Sequence, residues 1–185
     1  MDDSPSEYVL DACSLLNLIA SGRFDEIAQA IPAEFVIVRQ AASEISFLRR
    51  GGEGPDSDER DSVSLYTLER SGFLTVVELT TATELSDFVG FAVEMDDGEA
   101  ATGAIALSRG AIVVTDDRKA QRIFSTQYPT LTVRTTPNIM KTWADRTDPS
   151  ANELARVLKD IETRARFRPR SSDMLANWWA NARGR

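Results

Sequence analysis

The sequence predicts an α/β protein built on one parallel β-sheet of about five strands. Two observations support this prediction. Short continuous apolar runs alternate along the chain with segments that have helical spacing. The clearest runs, Tyr8–Leu10 and Phe35–Val38, are apolar throughout instead of alternating, as expected for strands that are buried on both faces of a parallel sheet. Helices would then cover both faces, in a three-layer α/β/α sandwich.

Each predicted element follows from its own local pattern. Five apolar runs are predicted to be strands: Tyr8–Leu10, Phe35–Val38, Phe73–Leu79, Ala111–Thr115 and Leu131–Val133. Segments with helical spacing, several of them closed by a glycine, are predicted to be helices: Ser14–Ala20, Phe24–Ile31, Arg39–Arg50, Ser62–Arg70, Thr83–Met95, Asp96–Arg109, Arg118–Thr126, Pro137–Asp145, Glu153–Arg164 and Ser172–Ala182. The glycine-rich stretch 51–58 is predicted to be a surface loop.

Length and composition fit a single soluble domain. The chain has 185 residues, of which 42% are hydrophobic. Residues 1–149 are predicted to form the main domain, and residues 150–185 a basic, helical extension of it. No run of eighteen apolar residues is present, the acidic N-terminus does not resemble a signal peptide, and a single cysteine cannot form an internal disulfide. A cytoplasmic protein with no membrane partner is therefore expected.

The chain contains no histidine, and this excludes several mechanisms. Catalytic triads, cysteine–histidine pairs, histidine general bases and most zinc sites all need that residue. Any catalysis must therefore use carboxylates, hydroxyl groups, lysine or a hard metal ion.

The net charge is -8, but its distribution along the chain is uneven. Basic residues outnumber acidic ones from Arg156 onward, and acidic residues dominate before it. An acidic body repels nucleic acid unless its charge is neutralised locally. A solvated C-terminal helix that aids solubility is the simpler interpretation of the basic end.

Acidic residues follow two of the predicted strands. Asp11 follows the first strand, and Asp116 and Asp117 follow the fourth. Ligands of open α/β sheets bind beyond the carboxyl ends of the strands, so these positions predict a site. The alternative is helix capping by Asp11 and by one of the two later aspartates.

Two further acids lie on predicted helices. Glu44 falls beside the apolar stripe that Ala41 and Leu48 would form, where an unpaired carboxylate would be costly. The alternatives are that it reaches the rim or pairs with Arg49. Glu99 opens a helix of small and apolar residues, although its spacing from Asp96 also fits a capping box.

The acids are more informative together than singly. They come from separate elements that a parallel sheet would bring to one end. Like charges about 4 Å apart repel by about 4 kcal/mol at an effective dielectric constant of 20, so a cation is expected among them. Ligand sets made only of oxygen favour Mg²⁺ or Mn²⁺, which typically serve phosphate chemistry.

These residues resemble the motifs of PIN-domain nucleases, and in particular the VapC-type toxin ribonucleases of toxin–antitoxin pairs. The matching segments lie within residues 8–124: Tyr8–Leu16, Glu44, Asp96–Ala101 and Val113–Asp117. The third acid is Glu where many members have Asp, and the arginine-rich end lies outside the match. The interpretation as a PIN ribonuclease that is not a toxin therefore stays open as well.

The resemblance implies a sheet of order 3-2-1-4-5 and a metal-dependent endoribonuclease. The implied catalytic acids are Asp11, Glu44, Glu99 and either Asp117 or Asp116; all of them except Glu44 would be ligands of Mg²⁺ or Mn²⁺. Weaker candidates beside the pocket or for substrate contact are Thr115, Asp96, Asn17 and Thr136. The implied partners are an RNA substrate, an antitoxin protein and a second copy of the chain in a homodimer.

Rival interpretations are less consistent with the sequence. A receiver domain needs paired acids after its first strand, but Ala12 follows Asp11. A haloacid-type phosphatase needs Asp where Cys13 stands. A catalytically inactive PIN domain that binds RNA or protein stays open. In the basic end, Arg164, Arg166, Arg168 and Arg170 would be free to contact RNA from a loop, and Trp178-Trp179 would pack or stack on bases.

Overall fold

The computed structural model describes residues 7–51 and 59–184. The chain forms two compact units, each built from three separate segments. The first unit comprises Met1–Leu15, Pro32–Ile45 and Ser64–Thr135, and the second Leu16–Ile31, Ser46–Val63 and Thr136–Arg185. The division at residue 149 stays a prediction, and most of the predicted loop 51–58 lies outside the described residues.

Strands and helices alternate along the described chain, as the sequence predicts. The strands are β1 (Glu7–Leu10), β2 (Glu34–Val38), β3 (Phe47–Arg49), β4 (Arg60–Ser62), β5 (Thr75–Val77), β6 (Ile112–Val114) and β7 (Thr132–Arg134). The helices are α1 (Ala12–Ala20), α2 (Phe24–Ala30), α3 (Arg39–Glu44), α4 (Leu65–Ser71), α5 (Ala82–Ala92), α6 (Asp97–Arg109), α7 (Arg118–Gln127), α8 (Thr136–Thr147), α9 (Ala151–Arg164) and α10 (Ala176–Ala182).

The first unit contains the parallel sheet, in the order β5-β2-β1-β6-β7. Counted along the chain, this is the predicted order 3-2-1-4-5. The central strand β1 pairs with β2 on one side and with β6 on the other, so Leu10 lies opposite both Ile37 and Val114. From β1, the chain adds strands first on one side (β2, then β5) and afterwards on the other (β6, then β7), and this places the switch point of the sheet between β1 and β6.

Both faces of the sheet are buried. On one face, Val9, Val38 and Val113 belong to a core that includes Phe91 of α5 and Phe124 of α7. Strand residues of the opposite parity, among them Leu10 and Val114, are fully buried as well. These observations confirm the predicted three-layer α/β/α sandwich, because only a sheet covered on both sides buries successive residues of a strand.

Two helices end at the glycines that the sequence predicts, and a capping box begins a third. Gly72 and Gly110 take left-handed backbone conformations after α4 and α6, which glycine adopts without strain. At the start of α5, Thr81 and Glu84 form a complete capping box. None of the helices among the described residues is long and apolar enough to cross a membrane.

The predicted helix over Arg39–Arg50 is wrong in its second half. Helix α3 ends at Glu44, and Ile45 already has an extended backbone. Residues Phe47–Arg49 form β3 instead, which pairs antiparallel with β4. Aromatic and branched side chains favour strands once a pairing partner exists, and the polar strand β4 carried no local signal of its own. Leu48 is therefore not a helical neighbour of Glu44.

Within the second unit, the arginine-rich end is held by a buried carboxylate. Glu162 of α9 accepts a hydrogen bond from Trp179 Nε1 at 3.0 Å and forms ion pairs with Arg183 and Arg168. This confirms that Trp179 packs against the protein. Arg164 is the last residue of α9, and Arg166, Arg168 and Arg170 follow it in a loop, as predicted. The last helix begins at Ala176 rather than at residue 172.

Candidate acidic site

Asp11 is a buried carboxylate at the carboxyl end of β1, with only 6% of its surface exposed. Its Oδ1 accepts a 2.6 Å hydrogen bond from the Ser14 amide, so it caps the first turn of α1. Its pKa is raised from 3.8 to about 6, mainly by burial and to a smaller extent by the Asp116 charge, against the opposing hydrogen bonds from Thr115 and Ser14. The capping hydrogen bond therefore does not cancel the rise in the pKa of Asp11. A raised pKa of this kind is typical of functional carboxylates.

The end of β6 brings two aspartates to the same edge of the sheet. The Asp11 amide donates to the Val114 carbonyl at 3.0 Å, which ties the end of β1 to the end of β6. The Ser14 hydroxyl donates to Asp116 Oδ2 at 3.2 Å. Thr115 is buried; its side chain hydrogen-bonds with Asp11 and accepts the Asp117 amide at 3.1 Å. Thr115 and Ser14 thus link the first acid to the later pair.

Asp116 and Asp117 have different local roles. Asp117 caps α7, because its Oδ1 accepts the amides of Lys119 and Ala120 at 2.7 and 2.9 Å. Asp116 is bonded to Ser14 and acts electrostatically on Asp11. The expectation that one of the two aspartates caps this helix is confirmed for Asp117.

Glu99 lies in the first turn of α6 and is half-buried. Asp96 caps this helix by accepting the Glu99 amide at 2.9 Å. The pKa of Glu99 is raised from 4.5 to about 7, mainly by burial. The charges of Asp96, Asp117 and Asp11 contribute to this rise, and the hydrogen bond from the Asp96 amide opposes it. The Glu99 carboxyl therefore lies within electrostatic range of Asp96, which caps its own helix, and of acids from two other segments.

Glu44 reaches the same region from the end of α3 but is exposed. The expectation that it sits on an apolar stripe is therefore wrong, and its position at the rim matches the alternative. Its pKa is raised by partial burial and by the charges of Asp96 and Asp97. A Cβ atom on Gly98 would overlap Glu44 Oε1, so the Glu44 carboxylate rests directly against the start of α6.

The Cys13 thiol lies near several of these acids, and their charges shift its pKa. Cys13 is exposed, yet partial desolvation of the thiol, together with the charges of Asp11, Glu44, Asp116 and Glu99, raises its pKa to about 11. Four carboxylates from four segments thus act on a single sulfur atom. Sequence reasoning did not single out Cys13, Ser14 or Asp97; their positions in the first turns after Asp11 and Asp96 were the available signal.

The donor chemistry fits a hard divalent cation, although the side chains are not arranged around one. The charged neighbours that shift the pKa values of Asp11, Glu44 and Glu99 are all carboxylates, and each shift is upward. A cation would relieve this repulsion. Among the residues that the structure describes, however, no three acidic or cysteine side chains stand close enough to hold a metal ion. Binding would therefore require carboxylates to turn inward.

Asn17 and Thr136 belong to the second unit, where they bond to each other. Asn17 Nδ2 donates to Thr136 Oγ1 at 3.2 Å, and both side chains are buried. This hydrogen bond gives the pair a role in packing. Contact with substrate stays a prediction for both residues.

Gly98→Ala is expected to fold and to displace Glu44. The new methyl group would overlap Glu44 Oε1, the mobile end of a side chain, and lie 3.3 Å from the Ala41 backbone. We expect a loss of no more than about 1–3 kcal/mol in stability, as is usual for overpacking. Urea unfolding would measure the loss of stability, and Mn²⁺ titration by calorimetry should show unchanged cation affinity, because Glu44 is not among the proposed ligands.

Gly90→Ala in α5 is the matched control for this change. A Cβ atom there meets nothing within 4 Å, so the control should gain a little helix stability and leave cation binding unaltered. Equal stability in the two variants would contradict the contact between Gly98 and Glu44.

The fold and the site define an α/β protein whose acidic side chains gather at the carboxyl edge of a parallel sheet. No protein-family model and no curated protein sequence matches the chain. Among solved structures, the chain is similar to one from VapBC2 of Rickettsia felis, which was determined bound to a DNA fragment from its promoter. The two share 14% sequence identity over 70% of this chain and 98% of the other, with a TM-score of 0.43.

Proposed function

We propose that this protein is a divalent-metal-dependent endoribonuclease that hydrolyses RNA phosphodiester bonds and acts as the toxin of a toxin–antitoxin pair. The observation that carries the proposal is that Asp11 and Asp116 meet at the carboxyl edge of the sheet, where Ser14 bonds to both, with Glu44 and Glu99 near enough to raise the pKa of the neighbouring Cys13 thiol. The order of these acids along the chain, which resembles that of PIN-domain nucleases, supports the choice of reaction.

Each acidic residue has a distinct task under this proposal. Asp11, Glu99 and one or both of Asp116 and Asp117 would hold Mg²⁺ or Mn²⁺. The bound cation would supply Lewis-acid activation and offset the charge of the phosphate. Ser14 and Thr115 orient the carboxylates through their hydrogen bonds. Glu44 is exposed at the rim, and under the proposal it would act on the RNA that enters the site from solvent.

The partners follow from the resemblance and belong to the proposal. They are an RNA substrate, an antitoxin that inhibits the enzyme in the cytoplasm, and a second copy of the chain in a homodimer. One observation favours a second candidate, an inactive PIN domain that only binds RNA or protein: among the described residues, the acids are not prearranged as a metal site.

Metal titration of RNA cleavage distinguishes the two candidates. The purified protein would be incubated with labelled RNA in EDTA and in rising Mg²⁺ or Mn²⁺. Cleavage that appears only with metal supports the nuclease, and binding without cleavage at any metal concentration supports the binding module. Growth arrest on induction, relieved by a co-expressed neighbouring gene product, would support the role as a toxin.

The variants Asp117→Asn and Asp116→Asn are expected to distinguish helix capping from cation binding by these two residues. Asparagine caps helices about as well as aspartate, so Asp117→Asn should keep α7 and the melting temperature while it removes one charge. If Asp117 binds the cation, we expect a loss of at least about tenfold in cleavage rate, since each 1.36 kcal/mol of barrier is tenfold. Full activity in both single variants would exclude these two aspartates as ligands.

A further inference from the structure

Three basic side chains lie at the start of α7, directly beside the acidic site. Arg118, Lys119 and Arg122, together with Asp117, line a shallow cleft of about 340 Å³. All three basic residues are exposed. Arg118 and Arg122 are four residues apart, so they share one face of the helix.

We propose that this cleft is a phosphate-binding subsite, which holds the RNA backbone next to the bond that is cut. This inference rests on the proposed function, because it names how the substrate of that same site is held. Asp117 links the two features, since it lines the cleft and also raises the pKa of Glu99.

The charged ends of these three side chains have no partner within residues 7–51 and 59–184. The other four basic groups of the first unit all have polar partners. Arg39 bonds to Glu78, and Arg109 lies within ion-pair distance of Glu7 and Glu84, whereas Arg70 bonds to the Tyr66 hydroxyl and Arg134 to the Val133 carbonyl. Three neighbouring cations at the start of α7 thus lack acidic partners among the described residues, although the chain has a net charge of -8. Their mutual repulsion would be relieved by a polyanion.

The side chains, and not the end of the helix, would bind the phosphate. Asp117 already accepts the amides of Lys119 and Ala120, so these N–H groups are not available to an anion. The arginines of the C-terminal region are weaker candidates. Arg164 bonds to backbone carbonyls and Arg168 to Glu162, all within the second unit.

RNA is favoured over an acidic protein partner by the position of the cleft. The acidic site repels a polyanion, so a nucleic acid that must approach it needs compensating cations at its border. A partner protein would not need to bind beside these acids.

The test compares two double variants with the same change of charge. Arg118→Gln with Lys119→Gln alters the cleft, and Arg156→Gln with Lys159→Gln alters two exposed basic residues of α9. Binding of a fluorescent single-stranded RNA oligonucleotide would be measured by anisotropy in EDTA, over a range of NaCl concentrations. Steady-state cleavage with Mn²⁺ would be measured in parallel.

The cleft variant should bind the oligonucleotide roughly 25-fold more weakly at 0.1 M salt, with a salt slope lower by about 1.4, because each phosphate contact on a single strand contributes about 0.7. Its KM should rise while kcat changes little, and the α9 variant should match the wild type. Equal losses in both variants, or an unchanged salt slope in the cleft variant, would overturn the subsite.

Other outcomes separate this inference from the function on which it rests. If the wild type never cleaves RNA but loses binding selectively in the cleft variant, the nuclease fails and the phosphate site stands. If cleavage is normal in the cleft variant while binding of an acidic partner protein is lost, the cleft is a protein-docking surface and the subsite is wrong.

Discussion

Asp11→Asn should lower metal-dependent RNA cleavage by about a thousandfold or more while leaving the fold intact. Asp11 is the buried member of the acidic site and acts electrostatically on both Cys13 and Glu99. Removing its charge would weaken cation binding and the charge stabilisation that a cation supplies, which is worth several kcal/mol. Each 1.36 kcal/mol corresponds to a factor of ten in rate.

The fold should tolerate this change because asparagine is nearly isosteric with aspartate. The amide oxygen of the substituted side chain can still accept the Ser14 amide, which caps α1. Asp87→Asn in α5 is the control, since it removes a half-buried aspartate that takes no part in the site. Rates would be measured with labelled RNA in Mn²⁺, and folding by circular dichroism. Wild-type rates in Asp11→Asn would remove the proposed mechanism.

Metal-free wild-type protein should lose stability as the pH rises from about 4 to about 7. The pKa of Asp11 is raised from 3.8 to about 6, so the folded state holds this proton more tightly than the unfolded state does. Stability therefore falls with rising pH across that window, by about 3 kcal/mol for this buried carboxyl. Glu99, whose pKa is about 7, extends the same trend toward neutral pH.

Thermal melts in EDTA at pH 4, 6 and 8 would measure this dependence. At pH 8, Asp11→Asn should melt roughly 6–12 °C above the wild type, since about 1 kcal/mol shifts the melting temperature of a domain of this size by 2–4 °C. The difference should vanish near pH 4, where both side chains are neutral. Mg²⁺ or Mn²⁺ should raise the melting temperature of the wild type above pH 7 and affect the variant less.

A wild-type protein that melts at the same temperature at pH 4 and pH 8 in EDTA would contradict the burial of an ionised Asp11. A metal-induced shift of equal size in Asp11→Asn would show that the cation binds elsewhere. The two measurements therefore test the electrostatics of the site independently of any substrate.

Local patterns predicted most of the sheet and of its helices. Continuous apolar runs mark β1, β2 and β6, and glycines mark the ends of α4 and α6. The pattern failed after Glu44, where the apolar residues around Leu48 suit a helix and a strand equally. Pairing with the distant, polar strand β4 decided between them, and no local signal can report such a pairing.

The acids show the same division. Strand ends and spacing singled out Asp11, Glu99 and the Asp116-Asp117 pair, because those positions follow from a parallel sheet. Spacing from Thr115 only slightly favoured Asp117 over Asp116 as the fourth acid. Their hydrogen bonds separate them, with Asp117 capping α7 and Asp116 bonded to Ser14.

The amino-acid sequence by itself was enough to determine the layered α/β architecture and the set of carboxylates that gather at one edge of the sheet. It was also enough to exclude catalysis by histidine. Only the tertiary structure decided how those carboxylates act on one another. It placed Glu44 at the rim against Gly98, made the Cys13 thiol the point where four charges converge, and left Arg118, Lys119 and Arg122 unpaired among the described residues. The reason is physical: strand periodicity is a property of neighbouring residues, whereas burial and charge–charge repulsion depend on distances between segments that lie far apart in the chain.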